Sequence, residues 1–247
     1  MTEIASNLEV PVKRLLVDLD GTLLANRNLA LSFDFFRRAI DELKPHGGIR
    51  KALRALFAIQ KELGKQSNAA TNDVRVVEVF AEKMDWSLEE ARQFLREGVG
   101  KIFPSLKRHF YPVQGAKDFL EWAKDHYPLI LATNPVWPQS VVEMRVRWAG
   151  IDPAIFQSLT HVRRMRACKP AAQYYQELLE QEGLRAEECL LIGDNTRMDL
   201  PATRVGIRVF IVGRYKKLKR LEFSGAQAPA WRGSYSMLKR LLEESSG

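Results

Sequence analysis

The sequence predicts an α/β fold: a parallel sheet layered with helices, interrupted near its start by an all-helical insertion. Three observations predict it. An apolar run comes first, short apolar runs alternate with helical stretches after residue 112, and residues 26–111 between them carry apolar spacing of helical period only. Strands that alternate with helices build a parallel sheet covered on both faces. Ligands in such sheets bind at the carboxyl ends of the strands.

Each element has its own signal. Arg14-Leu15-Leu16-Val17-Asp18-Leu19, entered from a proline-bearing segment, reads as the first buried strand. In the insertion, Ile49, Leu53, Leu56, Phe57 and Leu63 recur at helical spacing, as do Val76, Phe80 and Met84. Ser87-Leu88-Glu89-Glu90 is a capping box, in which a hydroxyl and a carboxylate satisfy orphan amides at a helix start. Further strands are expected at 128–133, 159–162, 189–193 and 208–212, with helices at 115–124, 139–149, 171–182 and 197–205. Gly150 and Gly183 follow two of these helices where a left-handed residue commonly ends one. A final helix, Tyr235 to Glu243, is expected to cover the sheet edge.

Composition excludes several function classes. Hydrophobic residues make up 46% and charged residues 28% of 247, enough apolar material for a sizeable core. No run of 18 apolar residues occurs, so no membrane helix is expected. The leading MTEIASNLEVPVKR lacks the apolar run of a secretory signal, and the two cysteines, Cys168 and Cys189, form no disulfide framework. Together these give a cytoplasmic expectation. The net charge of +8 is spread evenly: residues 26–111 hold 16 Lys/Arg against 11 Asp/Glu, and residues 112–247 hold 20 against 15. The basic stretch Arg214 to Arg220 lacks an aromatic stacking pattern and reads as a solvated loop, which leaves a nucleic-acid binder as the weaker, third reading.

Polar groups close four separate apolar runs. Asp18-Leu19-Asp20-Gly21-Thr22 ends the first strand with carboxylates at i and i+2 before a glycine turn. Thr133-Asn134 ends the second, Lys169-Pro170 precedes a helix whose first position suits Pro170, and Gly193-Asp194-Asn195-Thr196-Arg197-Met198-Asp199 ends another. Singly, an Asp-Gly pair is a turn and a strand-end Asp an N-cap. Four in this order at four strand ends point to one pocket.

On these motifs the sequence resembles the haloacid dehalogenase superfamily, in its phosphatase branch, over residues 13–25 and 112 to about 213. The resemblance implies a Rossmann-like core at 1–25 and 112–247 and a helical cap domain at 26–111. It implies Asp18 as nucleophile and Asp20 as general acid and base, with Thr133, Asn134 and Lys169 holding the phosphoryl oxygens. Asp18 and Asp194 would bind Mg²⁺ by carboxylate and Asp20 by its backbone carbonyl. Asp199 would act through water or by orienting Lys169, and Thr22 by orienting Asp20. The charge argument agrees with a cation: three carboxylates about 4 Å apart repel by ~4 kcal/mol per pair at an effective dielectric of 20, and a hard dication with oxygen ligands offsets this. An acid at position 20 favours phosphate esters over carbon–halogen bonds, because halide leaves without a proton. The expected partner is a small phosphorylated metabolite. A phosphomutase on the same core, or a binding protein that hydrolyses nothing, stands beside this reading. Trp137, His46 and the Arg163, Arg164, Arg166 loop are weighed as pocket residues, with packing or solvent the commoner role for each.

Overall fold

The computed structural model describes residues 11–65 and 70–245. Residues 1–10 of the leading segment lie outside them. One sheet is built from the strands β1 (Arg14–Val17), β4 (Leu129–Leu131), β5 (Phe156–Leu159), β6 (Cys189–Gly193), β7 (Arg208–Val212), β8 (Lys219–Leu221) and β9 (Ala230–Gly233). Their order across it is β5-β4-β1-β6-β7-β9-β8. All pairings are parallel except β8 with β9. β6 and β7 are buried along their whole length, as near-continuous apolar strands in a twice-covered parallel sheet should be.

The period-two pleat of β1 splits the core into two clusters. Leu15 and Val17 pack on one face with Phe119, Val142, Trp231 and Leu238. Leu16 packs on the other with Met165, Tyr174, Tyr175 and Val209. Helices α5 (Ala116–Ala123), α6 (Gln139–Trp148) and α9 (Tyr235–Ser245) contribute to the first face, and α7 (Ala172–Glu182) to the second. The chain runs from β1 outward through β4 and β5, then returns to β6 on the other flank of β1. That reversal puts the ends of β1, β4 and β6 side by side, the switch point at which such sheets bind ligands.

The insertion hangs on a two-stranded antiparallel ribbon, β2 (Leu24–Asn26) with β3 (Phe110–Pro112). Between them lie α1 (Asn28–Leu43), α2 (Gly48–Leu63), α3 (Asn72–Met84) and α4 (Leu88–Ser105). Both halves of the Ser87–Glu90 capping box are formed. Ala52, Ala55, Val77, Phe80 and Met84 share its core, and small alanines let α2 and α3 approach closely. Ile49 and Phe57, though at helical spacing, are 55% and 60% exposed: the face of α2 that is buried runs through the alanines instead. Asp34 ties the insertion to its stem. It is buried and accepts hydrogen bonds from Arg37 (2.9 Å) and Arg38 (3.2 Å) on α1 and from Arg108 (2.8 Å), with His109 at 3.0 Å, just before β3.

Four expectations need correction. The strand expected at 159–162 is instead Phe156–Leu159: the Thr160 N–H makes a last bond to the Leu131 carbonyl (2.9 Å), its hydroxyl donates to the Thr133 carbonyl (2.6 Å), and the chain then leaves the sheet in turns. Pro170 is not the first helical residue; its peptide bond to Lys169 is cis and α7 starts at Ala172. Residues 197–205 are one short helix, α8 (Thr196–Asp199), followed by a 3₁₀ stretch containing Pro201. The sheet edge is closed by β8, within the region expected to be a solvated loop, while α9 lies on a sheet face through Leu238, Leu241 and Leu242.

Candidate active site

The ends of β1, β4 and β6, with the Lys169 loop, surround one cavity of about 340 Å³, lined by Asp18, Asp20, Asn26, Asn134, Lys169 and Asp194 among others. A larger depression of about 800 Å³ on the insertion, lined by Arg50, Lys51, Phe57 and Asp85, holds none of the groups discussed below.

Asp18 is locked to the sheet by its backbone N–H, which donates to the Ile192 carbonyl at 2.8 Å. Gly21 then turns the chain at φ 76°, in the left-handed region that disfavours a side chain. Space forbids one as well: a Cβ there would stand 2.0 Å from Asp194 Oδ2. The turn carries Thr22 back toward Asp18, its hydroxyl 3.5 Å from Asp18 Oδ2, so Thr22 faces Asp18 and not Asp20 as expected. The Tyr235 hydroxyl donates to the Thr22 carbonyl (2.9 Å) and pins the turn from α9.

Lys169 is buried and donates to Asp18 Oδ1 (2.9 Å) and Asp199 Oδ1 (2.7 Å). Its backbone N–H donates to Asn134 Oδ1 (3.1 Å), so one side chain couples two of the four motifs. Asp199 Oδ2 accepts from the Asn195 N–H (3.1 Å) just beyond β6 and packs directly on Gly193, where a Cβ would stand 2.2 Å from it. Thr133 is buried and its carbonyl accepts from Thr160 and Tyr174, yet its Oγ1 has no hydrogen-bond partner among the described residues.

Burial pushes the Asp18 carboxyl up to about 7; the Lys169 ammonium pulls it down, and Asp199 and Asp20 push it further up. Burial, aided by Asp199, raises Asp194 to about 6. Burial also opposes the charge on Lys169, but the carboxylates of Asp18 and Asp199 overcome it and hold the ammonium well above its ordinary value. A single lysine therefore does not neutralise the site. Asp18, Asp194 and Asp199 each present a carboxylate oxygen, all within 4.8 Å of one another. Hard oxygen donors crowded this closely, with more negative charge than the one cation balances, fit Mg²⁺.

A match to a family model decides the family: residues 12–205 match the haloacid dehalogenase-like hydrolases. The chain belongs to that family. It is an enzyme, a haloacid dehalogenase-like hydrolase, and the matched span contains every motif residue named above. No curated protein matches the chain. Among solved structures, a HAD phosphatase from Thermococcus onnurineus aligns over 94% of this chain and 98% of its own, with 19% identity and TM-score 0.58. A 2-haloacid dehalogenase from Pseudomonas syringae pv. Tomato DC3000 aligns over 94% and 98%, with 17% identity and TM-score 0.64. At such identities these likenesses show the fold, and they span two chemistries.

Several residues of this hydrolase escaped the sequence reading. Arg145, a buried arginine on α6, pairs through Nη2 with Asp20 Oδ1. Asn72 at the start of α3 donates through Nδ2 to the Pro135 carbonyl (3.2 Å) and lies 3.4 Å from Cys168 Sγ, while its N–H reaches the Met165 carbonyl (2.9 Å). Arg75 reaches the Arg166 carbonyl (3.0 Å). The insertion thus grips the residues next to Asn134 and Lys169. Trp137 packs edge-on against Phe35 (5.4 Å) and Phe103 (4.6 Å) of the insertion. His46 packs edge-on against Trp86 and Phe94, away from the cavity. Arg163 pairs with Asp73 and Arg164 with Glu182. No local pattern marks such partners, because each joins segments far apart in the chain.

Proposed function

We propose that this hydrolase is a Mg²⁺-dependent phosphatase acting on a small phosphate monoester through an aspartyl-phosphate, with residues 26–111 as a cap domain over a core of 1–25 and 112–247. One observation carries the reading: two unlike carboxylates share the cavity. The Asp18 side chain is 10% exposed and held by Lys169, while that of Asp20, two residues on, is 45% exposed. The first suits a fixed nucleophile and the second a group that exchanges protons.

Lys169 engages Asp18 Oδ1, which leaves Oδ2 to attack phosphorus. As that O–P bond forms, the ester P–O bond breaks and Asp20 gives its proton to the departing oxygen. Water then attacks the phosphoryl group, Asp20 takes a proton from it, and Asp18 is released with inorganic phosphate. Lys169, the unpartnered Thr133 hydroxyl and Asn134 are placed in this reading to hold the phosphoryl oxygens. The Asp18 and Asp194 carboxylates, with the Asp20 carbonyl, would hold Mg²⁺, which would supply positive charge against that of the carboxylates and the phosphoryl group. A 340 Å³ cavity lies at the small end of ligand pockets, in keeping with a metabolite.

The test is release of p-nitrophenol from p-nitrophenyl phosphate with Mg²⁺ and with EDTA, followed by a screen of phosphorylated metabolites. Metal-dependent phosphate release that Asp18→Asn abolishes supports the reading. Transfer of phosphate between positions of a sugar without release would replace it by a phosphomutase, and no turnover by a binding protein.

A further inference from the structure

We infer that Arg145 is the positioning residue of the proton-transfer step: it holds Asp20 by one carboxylate oxygen so that the other is free to move protons at the cavity. The inference rests on the phosphatase reading above, in which Asp20 is the acid and base.

Three observations carry it. The Arg145 side chain is 3% exposed and Asp20 is its one ion-pair partner among the described residues. Its Nε has no hydrogen-bond partner there, and its guanidinium lies 5.4 Å from the Phe110 ring centre on the ribbon that joins insertion and core. The Asp20 side chain, by contrast, is nearly half exposed and lines the cavity. The dependence is one-sided. Without Arg145, Asp20 would be hydrated in the cavity; without Asp20, Arg145 would be an uncompensated buried charge, among the least favourable arrangements a protein interior holds. An apolar side chain would fill the place of Arg145 without that liability. The group that gains from the pair is therefore Asp20, whose rotamer is fixed.

The contact runs through Nη2 and Oδ1 only. Asp20 Oδ2 makes no side-chain hydrogen bond among the described residues, so it is the oxygen that carries the proton. In the first step the proton leaves Oδ2 for the ester oxygen as its bond to phosphorus breaks; in the second, Oδ2 takes a proton from water. Arg145 touches neither phosphorus nor the leaving group. Because α6 begins just beyond Asn134 and Arg145 also lies by Phe110, the insertion's stem and the acid/base are held by one side chain.

The experiment compares kcat/KM for a series of substituted phenyl phosphates, from p-nitrophenyl phosphate to phenyl phosphate, in wild type, Arg145→Met, Arg145→Lys and Asp20→Asn. Leaving-group departure falls within kcat/KM, and the poorer the leaving group, the more it needs the acid. Arg145→Met is expected to lose about tenfold or more on phenyl phosphate and less than about threefold on p-nitrophenyl phosphate, following Asp20→Asn in slope. Arg145→Lys, which keeps the charge, should recover part of the loss, and Arg145→Met in the Asp20→Asn background should add less than about twofold. Equal losses along the series, or full additivity with Asp20→Asn, would overturn the inference. If Arg145→Met does not fold, the same slope in Arg145→Lys decides it. A wild type inactive on every ester refutes the phosphatase reading itself, a distinct result.

Discussion

Replacing Gly193 by alanine perturbs the site without removing any of its functional groups. The added Cβ would stand 2.2 Å from Asp199 Oδ2, 2.4 Å from Cγ and 3.0 Å from Cβ. Three atoms of one side chain block it, so rotating the carboxylate cannot clear the clash. Asp199 must retreat bodily by more than 1 Å to regain ordinary contact at 3.4 Å. It has nowhere easy to go, being 1% exposed and held by Lys169 Nζ at 2.7 Å and the Asn195 N–H at 3.1 Å. Overpacking of this kind costs about 1–3 kcal/mol, which for a chain of this size lowers Tm by roughly 2–12 °C. A displacement of about 1 Å beside the lysine that holds Asp18, the proposed nucleophile, should cost on the order of 100-fold in kcat. Calorimetry and steady-state kinetics read the two effects. Gly100→Ala is the control: it lies in α4 with open space around its Cβ, and relief of helix-interior glycine should raise stability by about 0.5–1 kcal/mol at unchanged kcat. A Gly193→Ala enzyme with wild-type Tm and wild-type kcat would refute the packing argument.

Other expectations follow from the same geometry. Asp18 and Asp194, raised to about 7 and about 6, hold more protons in the metal-free fold than in the unfolded chain, so their contribution to metal-free stability is fully present below about pH 4, declines as pH climbs from there and is lost above about 7. Mg²⁺ must displace those protons; titration calorimetry should show affinity weakening from pH 7.5 to 5.5 and protons released on binding. Asp34 acts in the opposite sense: the hydrogen bond from His109, with those from Arg37 and Arg108, keeps its carboxyl well below the ordinary range, so it stabilises above about pH 4 and that stability is lost on acidification. Asp34→Asn should lower Tm at pH 7 and flatten the acid limb of the stability curve below pH 5. Asn72→Ala should cost about 1–3 kcal/mol by orphaning the Pro135 carbonyl, and should raise KM for a phosphate ester more than it lowers kcat, since the grip lies beside Asn134 and Lys169, the residues proposed to hold phosphate.

What the sequence revealed and what it hid divide along physical lines. Strands buried on both faces declare themselves as apolar runs, so β1, β4, β6 and β7 and the groups at their ends were legible, as was the Ser87–Glu90 cap, a purely local device. The short strands were not: Lys219–Leu221 is a charged, exposed edge and Ala230–Gly233 carries a tryptophan and an arginine, so neither shows an apolar run; β9 forms on the free edge of β7, and β8 in turn on that of β9. The strand at Phe156–Leu159 carries a glutamine and a serine and shows no apolar run, so its place ahead of the Leu159–Val162 pattern depends on pairing with β4. The motif residues were found because each sits at an element's end; Arg145, Asn72 and Asp34 were not, because each sits within or at the start of a helix and meets a partner 63 to 125 positions away. Exposure of Ile49 and Phe57 has the same origin, since which face of α2 is buried depends on α3.

In the proposed mechanism Asp18 becomes esterified in each turnover. Rapid quenching of the Asp20→Asn enzyme during hydrolysis of p-nitrophenyl phosphate, followed by peptide mass spectrometry, tests it most directly, because loss of the base slows water's attack and lets the intermediate accumulate. The account predicts one phosphoryl group on Asp18, formed only with Mg²⁺ present. Turnover with that aspartate unmodified at every quench time, or phosphate on a different side chain, would contradict it.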